Sequence, residues 1–317
     1  MKGFLLVNLG SPDDLNLSSI KKFLKEFLSD NYVVDLPKPI QKILVNYIIV
    51  PFRSKKTKKA YELIWTEDGS PLKINTKLIA HKLHDKINYP VEVAMRYQNP
   101  SIKSALIKLN EKGCNEIITV PLYPHYAEST SLTTQVEVER VVKDLDLDIK
   151  LSFSKEFYME EGYIKALSSK IKNDLPNDYD YLLFSYHGIP KRQSIRTNPA
   201  YKDQVIETSK LCSEELSLND KKWGFSFQSR IGPGWLEPFT DKVLEELPKK
   251  GIKRVAVVCP SFVADNLETL EEINLEARKI FLESGGKEFT YIPCLNDDND
   301  WIDFLVKYSF NNIERKK

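Results

Sequence analysis

The chain has 317 residues, 42% of them hydrophobic, which supports packed cores and is long for a single one; two domains of common size are expected. Its 46 basic and 45 acidic residues give a formal net charge of +1, a balance that gives no reason to expect a nucleic-acid partner. No apolar run approaches the roughly 20 residues needed to cross a bilayer, and Met1-Lys2-Gly3 leads straight into a strand-like run with none of the regions of an export signal, so a cytoplasmic location is expected.

In chain order, strand-like runs fall at 4–9, 91–94, 117–121, 150–153, 181–185, 224–228, 254–259 and 289–292. Helical patterns fill most of the gaps, at 101–112, 134–144, 161–173, 199–216, 237–247 and 267–283. This alternation predicts an α/β protein made of two similar Rossmann-like domains with parallel, doubly wound sheets, divided as 1–148 and 149–317, with the ligand in the cleft between them and the last helix packing back on the first domain. Gly10-Ser11-Pro12 follows the first strand but lacks the glycine spacing of a dinucleotide fingerprint, and there is no GxxxxGK[ST], so a nucleotide enzyme is disfavoured.

The segment 40–52 carries Ile43, Leu44, Val45, Tyr47, Ile48, Ile49 and Val50 and runs into the basic cluster Arg53, Lys55, Lys56, Lys58 and Lys59. It reads equally as a helix resting on an anionic membrane surface, which would place the protein peripherally on the inner face of the membrane, or as a core helix with a solvated basic end. Cys114, Cys212, Cys259 and Cys294 lie far apart, with no CxxC pair for a zinc or iron–sulfur site, and read as reduced, mostly buried thiols.

Two segments carry the chemistry. In Leu182-Leu183-Phe184-Ser185-Tyr186-His187-Gly188-Ile189-Pro190 an apolar run stops at a turn and leaves His187 at a strand's C-terminal tip, where open α/β sheets hold their ligands. A core histidine satisfied by a backbone hydrogen bond is the plainer alternative. In the second segment a strand-like run ends at Cys259, and the helix that follows places Glu268, Glu272 and Glu276 at i, i+4 and i+8, on one face. Three aligned acids repel one another, which suits a divalent-cation or proton path, although a solvated acidic face has the same spacing.

Along nearly its whole length the chain resembles the ferrochelatase family. The resemblance rests on Leu5-Leu6-Val7-Asn8-Leu9-Gly10-Ser11-Pro12, Phe27-Leu28-Ser29-Asp30, Gly69-Ser70-Pro71-Leu72 and Met95-Arg96-Tyr97. It continues through Pro121-Leu122-Tyr123-Pro124-His125-Tyr126, the His187 segment, Phe227-Gln228-Ser229-Arg230-Ile231-Gly232-Pro233 with Trp235-Leu236, and the Glu268 segment. It implies a lyase of haem biosynthesis that inserts Fe²⁺ into protoporphyrin IX and releases two protons, with porphyrin and Fe²⁺ as substrates and no permanently bound cofactor. His187 and Glu268 are then the catalytic and metal-binding residues, with Glu272 and Glu276 as a path for protons or metal. A neutral imidazole is both a base near physiological pH and a borderline ligand for Fe²⁺, and the sequence does not separate those roles.

The same resemblance implies that Leu9, Tyr123, Ile189, Trp235 and Phe262 face the porphyrin, that Arg53, Ser70 and Arg96 lie near its propionates, and that the segment 40–52 is an apolar lip at its entrance. Leu9 stands where some coproporphyrin-using relatives carry a tyrosine, which points to protoporphyrin. Some relatives hold an iron–sulfur cluster on a C-terminal extension; no cysteine follows Cys294 here, and no cluster is expected. His125 is expected near the cleft, and His81 and His84 in solvent. Coproporphyrin ferrochelatase, another tetrapyrrole metal chelatase and, lower, a non-catalytic haem or metal carrier are the alternatives. Nothing in the sequence fixes the oligomeric state; a monomer is slightly favoured.

Overall fold

In the computed structural model, which describes residues 1–311 and 313–315, the chain forms two sheets. Eight strands lie at the eight apolar runs: β1 (Lys2–Asn8), β2 (Val91–Met95), β3 (Glu116–Pro121), β4 (Lys150–Ser154), β5 (Tyr181–His187), β6 (Trp223–Gln228), β7 (Arg254–Val258) and β8 (Glu288–Ile292). Parallel strands flanked by helices are buried on both faces and therefore read as continuous apolar runs. β1 is the plainest case, with Phe4, Leu5, Leu6 and Val7 all fully buried. A short ninth strand, β9 (Ile313–Arg315), pairs antiparallel with β4. Its sequence, Ile-Glu-Arg, has no apolar run and gave no strand signal.

The strand orders are β2-β1-β3-β4-β9 and β6-β5-β7-β8, so both halves follow one plan: the first strand pairs with the second on one side and with the third on the other. In such a sheet the connections leave in opposite directions from the two central strands, and a crevice opens at their C-terminal ends. The crevices therefore fall at β1/β3 and at β5/β7.

The first compact unit comprises Met1–Leu122, Glu128–Lys155 and Leu305–Lys317. β4 lies in this unit, hydrogen-bonded to β3, whereas a division at 148/149 would assign it to the second half. Its core packs Leu5, Val7, Ala94, Leu106, Ile117 and Val138 around β1. The C-terminal part of the helix Asn299–Asn311 also belongs here: the Phe310 ring lies 5.2 Å from that of Phe4, and Tyr308 donates to the Lys155 carbonyl at 2.7 Å. Asn312, Lys316 and Lys317, at the end of the expected second domain, lie outside the described residues.

The second unit comprises Tyr123–Ala127 and Glu156–Phe304. One side of its sheet packs Leu183, Val255, Val257, Leu244, Ile273 and Phe281. The rings of Phe157, Tyr163, Trp301 and Phe304 form an aromatic cluster in the same unit. All four cysteines are buried and free. No helix among the described residues is long and apolar enough to cross a membrane.

Candidate active site

In the second unit β7 pairs with β5 only as far as Phe184, opposite Val258, while β6 follows β5 to its end, where His187 stands opposite Gln228. His187 is therefore at the fork where the two central strands part. Its amide N–H donates to the Ser261 hydroxyl at 3.4 Å, and its carbonyl accepts from the Tyr201 hydroxyl at 3.0 Å. The imidazole packs edge-on to the Phe262 ring at 6.0 Å, and its Nδ1 is buried with no hydrogen-bond partner. Burial without a counter-charge disfavours the imidazolium and pulls the His187 pKa down to about 4, so the ring is neutral at physiological pH.

The turn after His187 depends on a close approach: a Cβ on Gly188 would lie 2.7 Å from the Gln228 carbonyl oxygen. That approach brings Ile189 against the 229–236 segment, where Leu236 N–H donates to the Ile189 carbonyl at 3.0 Å. Ile189 is buried, and Trp235 and Phe262 are half-buried. Ile189 and Trp235 thus share the C-terminal edge of this sheet with His187 and Phe262.

The helix after β7 is not the α-helix that its glutamate spacing suggests. Glu268–Ala277 is a ten-residue π-helix, continued as an α-helix over Arg278–Glu283. Residues four apart stay roughly on one face in either geometry, so the column survives; runs of i→i+5 bonding are rare and occur often at functional sites. Asn266 caps its start, its side-chain carbonyl accepting from the Glu268 and Thr269 amides at 2.9 and 3.2 Å. Asp265, buried beside it, accepts from Thr269, Tyr291 and Asn296.

Two adjacent residues fasten this helix to β6. The Gln228 side-chain amide donates to the Glu268 carbonyl at 3.1 Å. Ser229, whose φ of 63° is left-handed, gives both its amide, at 2.6 Å, and its hydroxyl to the Glu272 carboxylate. Burial pushes the Glu272 pKa up to about 7; the donors on Ser229 oppose that shift, and the charges of Glu268 and Glu271 add to it. Glu268 and Glu272 are half-buried and Glu276 is exposed, so the column runs from the sheet edge to solvent. Among the described residues no group of three or more His, Cys, Asp or Glu side chains forms a metal cage.

In the first unit, Leu9 follows β1 half-buried, and its amide is held by the Asn8 side chain at 2.8 Å. Ser70 is buried just before the helix Pro71–Ile87, and Arg53 is exposed on the helix Val50–Ile64. Arg96 already has partners: it pairs with Asp30 at 2.7 Å and donates from Nε to the Thr133 hydroxyl at 2.9 Å. Tyr123, assigned to the second unit, is buried.

A family model described as Ferrochelatase matches residues 1–313. The chain belongs to the ferrochelatase family. Ferrochelatase from Pseudomonas fluorescens (strain Pf0-1) is 40% identical over 326 residues, covering 95% of each chain. Ferrochelatase from Vibrio parahaemolyticus is 40% identical over 309 residues, covering 96% of each. Among solved structures, SirB from Bacillus subtilis is similar with a TM-score of 0.59 at 15% identity, covering 98% of this chain and 95% of that one. DR2241 from Deinococcus radiodurans, a multi-domain protein, has a TM-score of 0.55 at 9% identity, and 56% of it is covered. The relatives make this family member a metal chelatase of the lyase class, and the solved structures show that the fold is shared.

His125 is a core residue of the second unit: 3% exposed, bonded through Nε2 to the Thr208 hydroxyl at 2.9 Å and ringed by Tyr158, Tyr186 and Tyr201. Burial pulls its pKa down to about 3. His81 and His84 are exposed. Sequence reasoning gave no role to Tyr201, Ser261, Gln228, Ser229 or Asn266. Gln228 and Ser229 lie in the motif 227–233, and Ser261 and Asn266 lie between Cys259 and Glu268, but hydroxyl and amide side chains carry no local signal of what they bond across a fold.

Proposed function

We propose that this chelatase inserts Fe²⁺ into protoporphyrin IX. Two pyrrole N–H bonds break, four nitrogens bind the ion, and two protons leave. The observation that carries the reading is a half-buried imidazole at the β5/β7 fork, its Nδ1 buried without a partner, with a carboxylate column beginning on the helix after β7 and ending in solvent. A neutral His187 can accept a pyrrole proton or hold the metal; Glu268 takes the next place, and Glu272, with its pKa near 7, passes protons on to Glu276. Fe²⁺ is cargo here, and the porphyrin nitrogens are its final ligands. Leu9, Tyr123, Ile189, Trp235 and Phe262 supply apolar surface for a flat macrocycle. Arg53 and Ser70 suit its propionates; Arg96 would serve them only while keeping its pair with Asp30. With its four cysteines dispersed and buried, the chain is proposed to work without an iron–sulfur cluster.

Leu9 supports protoporphyrin over coproporphyrin. Anaerobic insertion rates with protoporphyrin IX and coproporphyrin III test this: the intact protein should favour protoporphyrin, and Leu9→Tyr should narrow the preference. Equal rates that Leu9→Tyr leaves unchanged would remove Leu9 from the specificity.

Ile40, Ile43, Tyr47, Ile48 and Phe52 are 51–79% exposed, and the seven charged residues over 38–59 are all Lys or Arg. An apolar stripe inside a cationic field supports a peripheral site on an anionic membrane face, consistent with a cytoplasmic enzyme that takes up a poorly soluble substrate. Phe52→Glu should weaken co-sedimentation with phosphatidylserine vesicles by about tenfold or more, since one buried aromatic side chain contributes about 1.5–3 kcal/mol. Unchanged binding would assign the stripe to another role.

A further inference from the structure

A histidine that works as base or ligand usually has its second ring nitrogen held by a carboxylate or a carbonyl, which fixes both tautomer and orientation. His187 lacks that support, because its Nδ1 is buried and unpartnered. What holds it is its backbone. The Tyr201 hydroxyl donates its only proton to the His187 carbonyl at 3.0 Å. The Ser261 hydroxyl, 3.0 Å from the Tyr201 oxygen, must then donate to that oxygen, and it accepts from the His187 amide at 3.4 Å. The result is a closed ring of hydrogen bonds: His187 N–H to Ser261, Ser261 to Tyr201, Tyr201 to His187 C=O. Tyr201 is buried at the first turn of the helix Tyr201–Glu215, and burial holds its phenol well above the usual range, so it remains a donor.

The place of this ring in the fold explains the need for it. At the fork β7 has left β5, and both backbone groups of His187 on that side would otherwise lack partners. Tyr201 and Ser261 fill the gap, and each comes from a different element packed against the fork. We propose that Tyr201 and Ser261 are positioning residues that act as one unit, fixing the direction of the His187 imidazole through its main chain; this rests on the role of His187 proposed above.

Tyr201→Phe removes one oxygen and keeps the ring packing. With Fe²⁺ and protoporphyrin IX, kcat should fall about tenfold while KM for the porphyrin stays within about twofold, the pattern of lost alignment rather than lost binding. Ser261→Ala should do the same, and the double variant should be no slower than the slower single one, because either change opens the same ring. In protein labelled with ¹⁵N-histidine, whose four histidines give a sparse spectrum, the His187 amide should exchange about tenfold faster in both single variants. The exchange measurement stands whether or not the intact protein inserts metal, so failure of the functional reading and failure of the ring are separable. Unchanged kcat with unchanged exchange, a raised KM at constant kcat, or losses that multiply in the double variant would each overturn the proposal; Ser261→Ala decides it if Tyr201→Phe does not fold.

Discussion

His187→Ala is expected to slow metal insertion by about 10²–10⁴-fold, the range in which a positioned acid–base group contributes. The change should leave the fold almost untouched. The imidazole is half-buried, its Nδ1 has no partner in the protein, and the hydrogen bonds of His187 to Ser261 and Tyr201 are made by its main chain, which alanine retains. A stability change of no more than about 1 kcal/mol is expected, from lost contact with Phe262. Thermal unfolding beside initial rates separates the two effects. Because burial holds the His187 pKa at about 4, the ring stays neutral through the neutral range, and its protonation should not limit the wild-type rate until the pH approaches that value. A folded variant that inserts metal at near wild-type rate would remove His187 from the reaction.

Glu272 gives the second large effect, and its sign depends on pH. In the folded protein its pKa is about 7, above the ordinary carboxyl value of 4.5. Between those values the folded state binds more protons than the unfolded one, so this group's contribution to stability is full below about pH 4.5 and is lost as the pH rises through about 7. His187, with its pKa depressed from 6.5 to about 4, acts in the opposite sense: its contribution is present above 6.5 and is lost as the pH falls toward 4. Glu272→Gln removes the titration and can still accept from the Ser229 amide and donate to its hydroxyl. The variant should therefore melt higher than wild type at pH 8 and lose most of that advantage at pH 5.5. If Glu272 relays protons, the wild-type rate should rise through an apparent pKa near 7, and Glu272→Gln should abolish that rise and cost roughly tenfold to a hundredfold at pH 8. An unaltered pH–rate profile would reduce Glu272 to a structural partner of Ser229.

The sequence was most readable where burial left a pattern. All eight strands of the two parallel sheets announce themselves as apolar runs, because both faces of such sheets are covered. His187 was legible as the polar residue that ends one of these runs. The glutamate column was legible in position but not in kind: a spacing of four fits α and π geometry alike, so the π-helix over Glu268–Ala277 left no mark in the periodicity. The edge strand Ile313–Arg315 was lost because two of its three residues are charged. Arg96 was legible only in part: its family position suggests a propionate anchor, while its bonds to Asp30 and Thr133 join residues 66 and 37 positions away and leave no local mark. The Tyr201–Ser261 ring was out of reach altogether, as it joins residues 60 apart through side chains that are common everywhere in proteins.

The most direct test is anaerobic incubation of the intact protein with Fe²⁺ and protoporphyrin IX, followed by absorbance as the free-base spectrum gives way to that of the metalloporphyrin. Catalytic insertion, many turnovers per protein and far above the protein-free rate, is the expected result. Tight porphyrin binding with no insertion of Fe²⁺ or any other divalent ion would contradict it and leave a carrier in place of the enzyme.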